Sequence, residues 1–205
     1  MSALHSGMAK VYCSKLQKSL SRIKSNKSIN ILPEGWVVRS ATIGDAHSIA
    51  NIHLKSLKWT YAGKISDSAI DELKFEERFA IWSSRILDKK LDIFVVYEKD
   101  VLLAFVDVDT INYNCKIGEV HRLYTNPDAL RKRPGYFLIK NVLQYYKRNG
   151  FEYLFGWVID NNILARRFYE KMGAVLDPNT TKKVIISGCE CTALKYVYHF
   201  SNKGP

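Results

Sequence analysis

Long apolar runs are missing from this chain of 205 residues. Stretches such as Ile93–Tyr97 and Val101–Val106 ("IFVVY", "VLLAFV") fall far short of the ~20 residues a spanning helix needs, which excludes helical membrane insertion. Cysteine is scarce: Cys13, Cys115, Cys189 and Cys191 form neither an evenly spaced framework nor a Cys-x-x-Cys pair. Disulfides and a structural zinc site are therefore not expected, and a reducing, cytoplasmic compartment fits best. Of the five histidines, His5, His47, His53 and His199 show no metal-ligand spacing, and no metal is expected. Acidic residues are absent from the first 33 positions, which hold six of the 31 Lys and Arg.

Much of the net charge of +11 therefore belongs to that leading segment, since the rest of the chain sets 25 basic residues against 20 acidic ones. Residues 1–33 read as a basic, Ser/Lys-rich extension, with Val11, Leu16, Leu20 and Ile23 at roughly helical spacing. That composition is shared by organelle transit peptides and by plain amphipathic extensions. "ILPEGW" marks the start of a single folded domain, residues 34–205, long enough to bury a core of its own.

Beyond Trp36 the pattern alternates between strand and helix. "WVVRSAT" reads as a strand, and Asp45 as the N-cap of a helix through Leu57, with Ile49, Ala50, His53, Leu54 and Leu57 on one face. The loop "KWTYAGKIS" precedes a second helix marked by Phe75, Phe79, Trp82 and Ile86. "LDIFVVY" and "VLLAFVDVDT" form a hairpin about Glu98, Lys99 and Asp100, and "KIGEVHRLYT" is the next strand. Ile139, Val142, Leu143 and Tyr146 give a helix its buried face, which Gly150 ends. "FEYLFGWVID" is a buried strand, "NNILARRFYEKMG" a last helix, and "KKVIISG" and "CTALKYVYHF" closing strands.

The strand, helix and strand between Lys116 and Asp160 are joined tightly enough to require a crossover with parallel strands. Its first turn holds Arg131, Lys132, Arg133, Pro134 and Gly135 in succession. A helix N-terminus offers unpaired N–H groups and partial positive charge, so three cations at its entrance mark an anion site suited to a pyrophosphate. Gly135 lets a backbone approach, and Pro134 suits a first helical turn. The alternative is a solvated basic turn.

The segment "GFEYLFGWVIDNNILARRFYEKMGA" resembles the GCN5-related N-acetyltransferase (GNAT) pattern N-x-x-A-x-x-F-Y-E-K-x-G-F, with Asn162, Ala165, Phe168, Tyr169, Glu170, Lys171 and Gly173 in register and Ala174 in place of the usual aromatic. "VVRSATIGDAHSIANIHLKSLKWTYAGKIS" is similar to the opening of many members, so the resemblance runs from Trp36 to Phe200. It implies a single mixed α/β domain, six or seven strands with helices on both faces. The family's phosphate loop, Q/R-x-x-G-x-G/A, aligns with Leu130, Arg133 and Gly135, where only the last glycine survives.

Acetyl-CoA as acyl donor follows from the resemblance, with its pyrophosphate at Arg131, Lys132, Arg133, Pro134, Gly135 and Tyr136. The pantetheine arm would lie against Leu123, Tyr124 and Thr125 and reach Asn162. Tyr169 matches the tyrosine that serves many members as general acid. Glu119, eleven residues before Leu130, has the spacing of the general-base glutamate of some members, and strand alternation puts it on the same face as His121. Trp59 and Tyr61 would line the acceptor cavity. The implied acceptor is an amine, on a small molecule or a peptide. Aminoacyl-tRNA is a further candidate, a homodimer stays open, and the basic composition leaves a second class of function: a catalytically silent module that binds acyl-CoA or RNA.

Overall fold

The computed structural model of the chain describes residues 32–61, 73–112, 114, 116–186 and 189–200, so nearly all of the basic extension lies outside it. Strand β1 (Trp36–Ser40) leads through a single 3-10 turn (Ile43–Asp45) into helix α1 (Ala46–Tyr61), followed by α2 (Phe75–Asp88). Strands β2 (Asp92–Glu98), β3 (Val101–Asn112) and β4 (Ile117–Thr125) form an antiparallel meander. Helix α3 (Pro134–Arg148) crosses to β5 (Tyr153–Ile159), and α4 (Ile163–Lys171) to the paired β6 (Val175–Ile186) and β7 (Cys189–His199). The seven strands form one sheet in the order β1-β2-β3-β4-β5-β7-β6. Only β4 and β5 run parallel, as the tight crossover requires.

Each face has its own helices. Ile49, Ala50 and Ile52 of α1 and Trp82 of α2 pack with Ile93, Val95 and Phe105. On the opposite face α3 buries Leu138, Ile139, Val142, Tyr145 and Tyr146, with Tyr145 set 5.5 Å from Phe94. Fully burying one such side chain is worth about 1.5–3 kcal/mol, so the two layers together hold the sheet rigid beneath its loops.

Three boundaries differ from the sequence expectation. Thr42, not Asp45, stands in the extended N-cap position, and Asp45 is the third residue of the turn, bonded back to the Thr42 N–H at 2.7 Å. Asp45 is buried because Arg39 (2.7 and 2.8 Å) and Tyr97 (2.7 Å) both donate to it. Helix α1 runs past Leu57 to Tyr61, so Trp59 is helical and 56% exposed, not a loop residue. Strand β6 starts at Val175, well before "KKVIISG", with a register shift between Asp177 and Thr181.

Strand β4 carries a bulge that no alternation pattern reveals. Asp107 faces Arg122 while its neighbour Val108 faces Val120, so His121 is an extra residue in the ladder. The bulge brings Glu119, His121 and Arg122 to the α1/α2 face.

Candidate active site

The pairing of β4 with β5 stops at the rung formed by Val120 and Gly156. Beyond it, Arg122 to Thr125 stay paired with β3, while Trp157 to Ile159 stay paired with β7. The two strands splay, and Leu123, Tyr124 and Thr125 border the opening. Backbone groups left facing a cleft in this way are a template for an extended ligand arm. The rung itself is tight: a Cβ on Gly156 would sit 3.2 Å from the Val120 carbonyl oxygen and 4.0 Å from Tyr169.

Glu119 and Tyr169 flank this rung from opposite faces. Glu119 lies opposite Phe155 on β5 and Asp109 on β3, with its carboxylate 4.0 Å from Lys182 Nζ. His121 Nε2 lies 3.8 Å from Asp109 Oδ2 on the same side. Tyr169 belongs to the α3/α4 side, its ring among Phe168, Tyr196 and Tyr198 at 5.6, 6.3 and 6.2 Å. Burial raises the Tyr169 pKa, and the nearby Tyr124 and Asp107 raise it further. The phenol therefore stays protonated at any physiological pH and can serve as a proton donor. Tyr198, similarly raised by burial, has a buried hydroxyl without a hydrogen-bond partner.

At the splayed end, a 3-10 helix (Pro127–Lys132) opens into α3. Asn126 caps it by accepting from the Asp128 N–H at 3.2 Å. Arg133 then adopts the left-handed conformation, φ 57°, which glycine tolerates best. That is the position aligned with the missing loop glycine. Pro134 and Gly135 begin the helix and are buried, and a Cβ on Gly135 would lie 2.9 Å from Thr125 Oγ1. The loop therefore packs directly on the end of β4. The three cations are not equivalent: Lys132 Nζ reaches Glu98 at 2.5 Å, whereas no ion pair involves Arg131 or Arg133 among the described residues.

Residues 53–174 match the model of the acetyltransferase (GNAT) family. The chain belongs to that family. It is thus an N-acetyltransferase by kind, and two curated relatives agree. One, YuaI of Bacillus subtilis, described as an uncharacterized N-acetyltransferase, is 28% identical over 128 residues, 61% of this chain and 72% of that protein. Another, a spermidine N(1)-acetyltransferase of Thermoplasma acidophilum, is 25% identical over 144 residues, covering 66% and 86%. In fold the chain is similar to the PaiA N-acetyltransferase of T. acidophilum, crystallised with coenzyme A, with a TM-score of 0.58 at 21% identity over 80% of this chain and 99% of that one.

In this GNAT chain Asn162 caps α4, its Oδ1 accepting from the Ala165 N–H at 3.1 Å. Trp59 and Tyr61 occupy the last turn of α1; the Tyr61 side chain lies outside the described residues. The sequence reading missed a buried polar group beside the bulge. Asp107 is fully buried and bonded to Arg122 at 2.5 Å, and its Oδ1 has no hydrogen-bond partner. Burial pushes its pKa up, against the opposing pull of Arg122. Nearby, Trp82 donates to His53 Nδ1 at 3.0 Å. Burial, aided by Arg78, Arg122 and Arg85, lowers the His53 pKa to about 3, so this imidazole is neutral. The available signal was a lone Asp among apolar residues in "AFVDV", which alternation alone places on a sheet face without showing its depth.

Proposed function

We propose that the chain transfers the acetyl group of acetyl-CoA to the amine of a small acceptor, directly, while donor and acceptor are bound together. The end of β4–β5 pairing at Val120 and Gly156, with Glu119 and Tyr169 on opposite faces of that rung, carries this reading. The splayed edge suits a pantetheine arm, which can pair there as a short added strand beside Leu123, Tyr124 and Thr125. The N-terminus of α3, with Arg131 and Arg133 at its mouth and Gly135 and Tyr136 in its first turn, suits the pyrophosphate. Asn162, at the head of α4, lies at the other wall.

Acetyl-CoA supplies an activated thioester, whose C–S bond breaks as the acceptor nitrogen forms its C–N bond. Glu119 takes the proton that the amine nitrogen loses, directly or through water, with His121 beside it. Tyr169 holds its proton at the other face, where it can protonate a departing thiolate. Trp59 and Tyr61 lie on the α1 turn that would border the acceptor. The relative named as a spermidine N(1)-acetyltransferase supports a small-molecule amine as acceptor.

Calorimetry with acetyl-CoA and its dephospho analogue, followed by mass-spectrometric scoring of an amine panel, tests the reading. Acetyl-CoA should bind, the analogue more weakly, and at least one amine should gain an acetyl group. Absence of acetyl-CoA binding overturns the assignment. Binding without acetylation of any small amine, protein N-terminus or aminoacyl-tRNA favours a silent binding module instead.

A further inference from the structure

Beside the bulge, guanidiniums gather around one side chain. The Trp82 indole carries two guanidiniums, Arg85 at 5.1 Å and Arg122 at 5.8 Å from its ring centre. A third, Arg78, lies one helical turn before Trp82 on α2 and acts electrostatically on the same His53 as the other two. The one buried carboxylate here, Asp107, is bonded to Arg122. Among the described residues the ion pair of Arg78 is with the exposed Glu77, at 3.7 Å.

Like charges drawn together at a partly buried site are costly unless an anion completes the set. Two buried atoms in the cluster also lack partners: Arg78 Nε, a donor, and Asp107 Oδ1, an acceptor. Native interiors leave few such groups, and each asks for an explanation. A ligand offering both an N–H group and an anionic oxygen would satisfy both. The cluster stands at the acceptor side of the cleft, because Arg122 is three residues from Glu119 on the same face of β4 and Asp107 acts on Tyr169.

We infer that the acceptor is an amino acid, whose carboxylate is held by Arg78 and Arg85 beside Arg122 and whose N–H faces Asp107. This rests on the acetyltransferase reading above and narrows its acceptor. Guanidinium forks match a carboxylate in two-point geometry, which an amide or an ester cannot reproduce. A polyamine would meet three guanidiniums at this end of the cleft, which disfavour it by charge.

The test uses the full chain loaded with coenzyme A, titrated calorimetrically with the twenty N-acetyl-L-amino acids, their carboxamides and N1-acetylspermidine. At least one N-acetylamino acid should bind 10-fold or more tightly than its carboxamide, and that ratio should shrink in high salt and fall toward one in Arg85→Met. Arg78→Gln provides a second variant should Arg85→Met not fold. Equal binding of acid and amide, no binding of any of them, or tighter binding of N1-acetylspermidine overturns the inference. Coenzyme A binding is recorded in the same experiment. Its failure counts against the acetyltransferase reading, while the acid-to-amide ratio on the unloaded chain still decides the charge cluster.

Discussion

The indole N–H of Trp82 donates to Nδ1 of His53 across 3.0 Å within the core formed by α1, α2 and β3. The bond fixes the tautomer, leaving the proton of the neutral ring on Nε2. Folded, His53 stays neutral down to about pH 3, whereas the unfolded residue takes up a proton near 6.5. Between those values the unfolded chain binds more protons, so stability rises with pH and is lost as pH falls, by about 1.4 kcal/mol per unit at the steepest. Thermal melts from pH 7 to pH 4 should show a shallower slope for His53→Gln than for the wild type. Subtracting the two curves cancels the buried carboxylates, and parallel curves would rule out His53 as the titrating group.

Asp45 should govern a separate acid window. Burial alone would raise its pKa, but bonds from Arg39, Thr42 and Tyr97 hold it well below the ordinary 3.8. Its stabilising contribution is present above pH 3.8 and lost as pH falls below it. Asp45→Asn removes the charge that Arg39 requires and should cost roughly 2–4 kcal/mol in urea denaturation at pH 7. A midpoint unchanged from wild type would mean that the Arg39 side chain finds other partners.

In the phosphate loop the three cations should separate. Arg131→Ala and Arg133→Ala should each weaken acetyl-CoA binding by about 3–10-fold and lower its salt dependence, as expected for charges facing a phosphate. Lys132→Ala should change affinity less than about twofold, since its ammonium is already held by Glu98. Calorimetry at two salt concentrations reads both effects. Arg133→Gly isolates the backbone: relief of the left-handed strain, about 1 kcal/mol, is offset by a similar gain in unfolded-chain entropy, so the melting temperature should hold while affinity falls.

Tyr169→Phe keeps the ring among Phe168, Tyr196 and Tyr198 and removes only the hydroxyl. With an acceptor in hand, kcat should drop by roughly 10²-fold with coenzyme affinity retained. Because burial raises the phenol above its usual 10, Tyr169 should contribute no basic limb to the rate profile below pH 10. Glu119→Gln should lower kcat to a similar degree. Wild-type turnover in both variants would make these residues structural.

Much of this architecture could be read from the sequence. The strand, helix and strand about Gly150, the Asn162 cap and the family pattern of α4 are local signals, carried by residues within a turn or two of one another. What escaped depends on distant partners. Asp45 looked like a cap because its position before an apolar helix fits one; its burial depends on Arg39 and on Tyr97, 52 residues away. The depth of Asp107 requires Arg122 and the cover of α2, neither of which alternation along one strand can supply. Arg133 appeared as a lost glycine, and only the backbone shows that the arginine adopts the conformation a glycine would have had.

His121 gives β4 a change of parity. Below it, the residues of even number point toward α3; above it, Arg122 and Tyr124 point the other way, toward α1 and α2. One inserted residue thus lets a single strand belong to two different side-chain frames. Deleting His121 would restore regular counting and leave Val120 opposite Val108 and Arg122 opposite Asp107, each still on its present face. The strand is therefore tolerant of losing its one unpaired residue and intolerant of losing a paired one, which would turn the side chains beyond it to the wrong face.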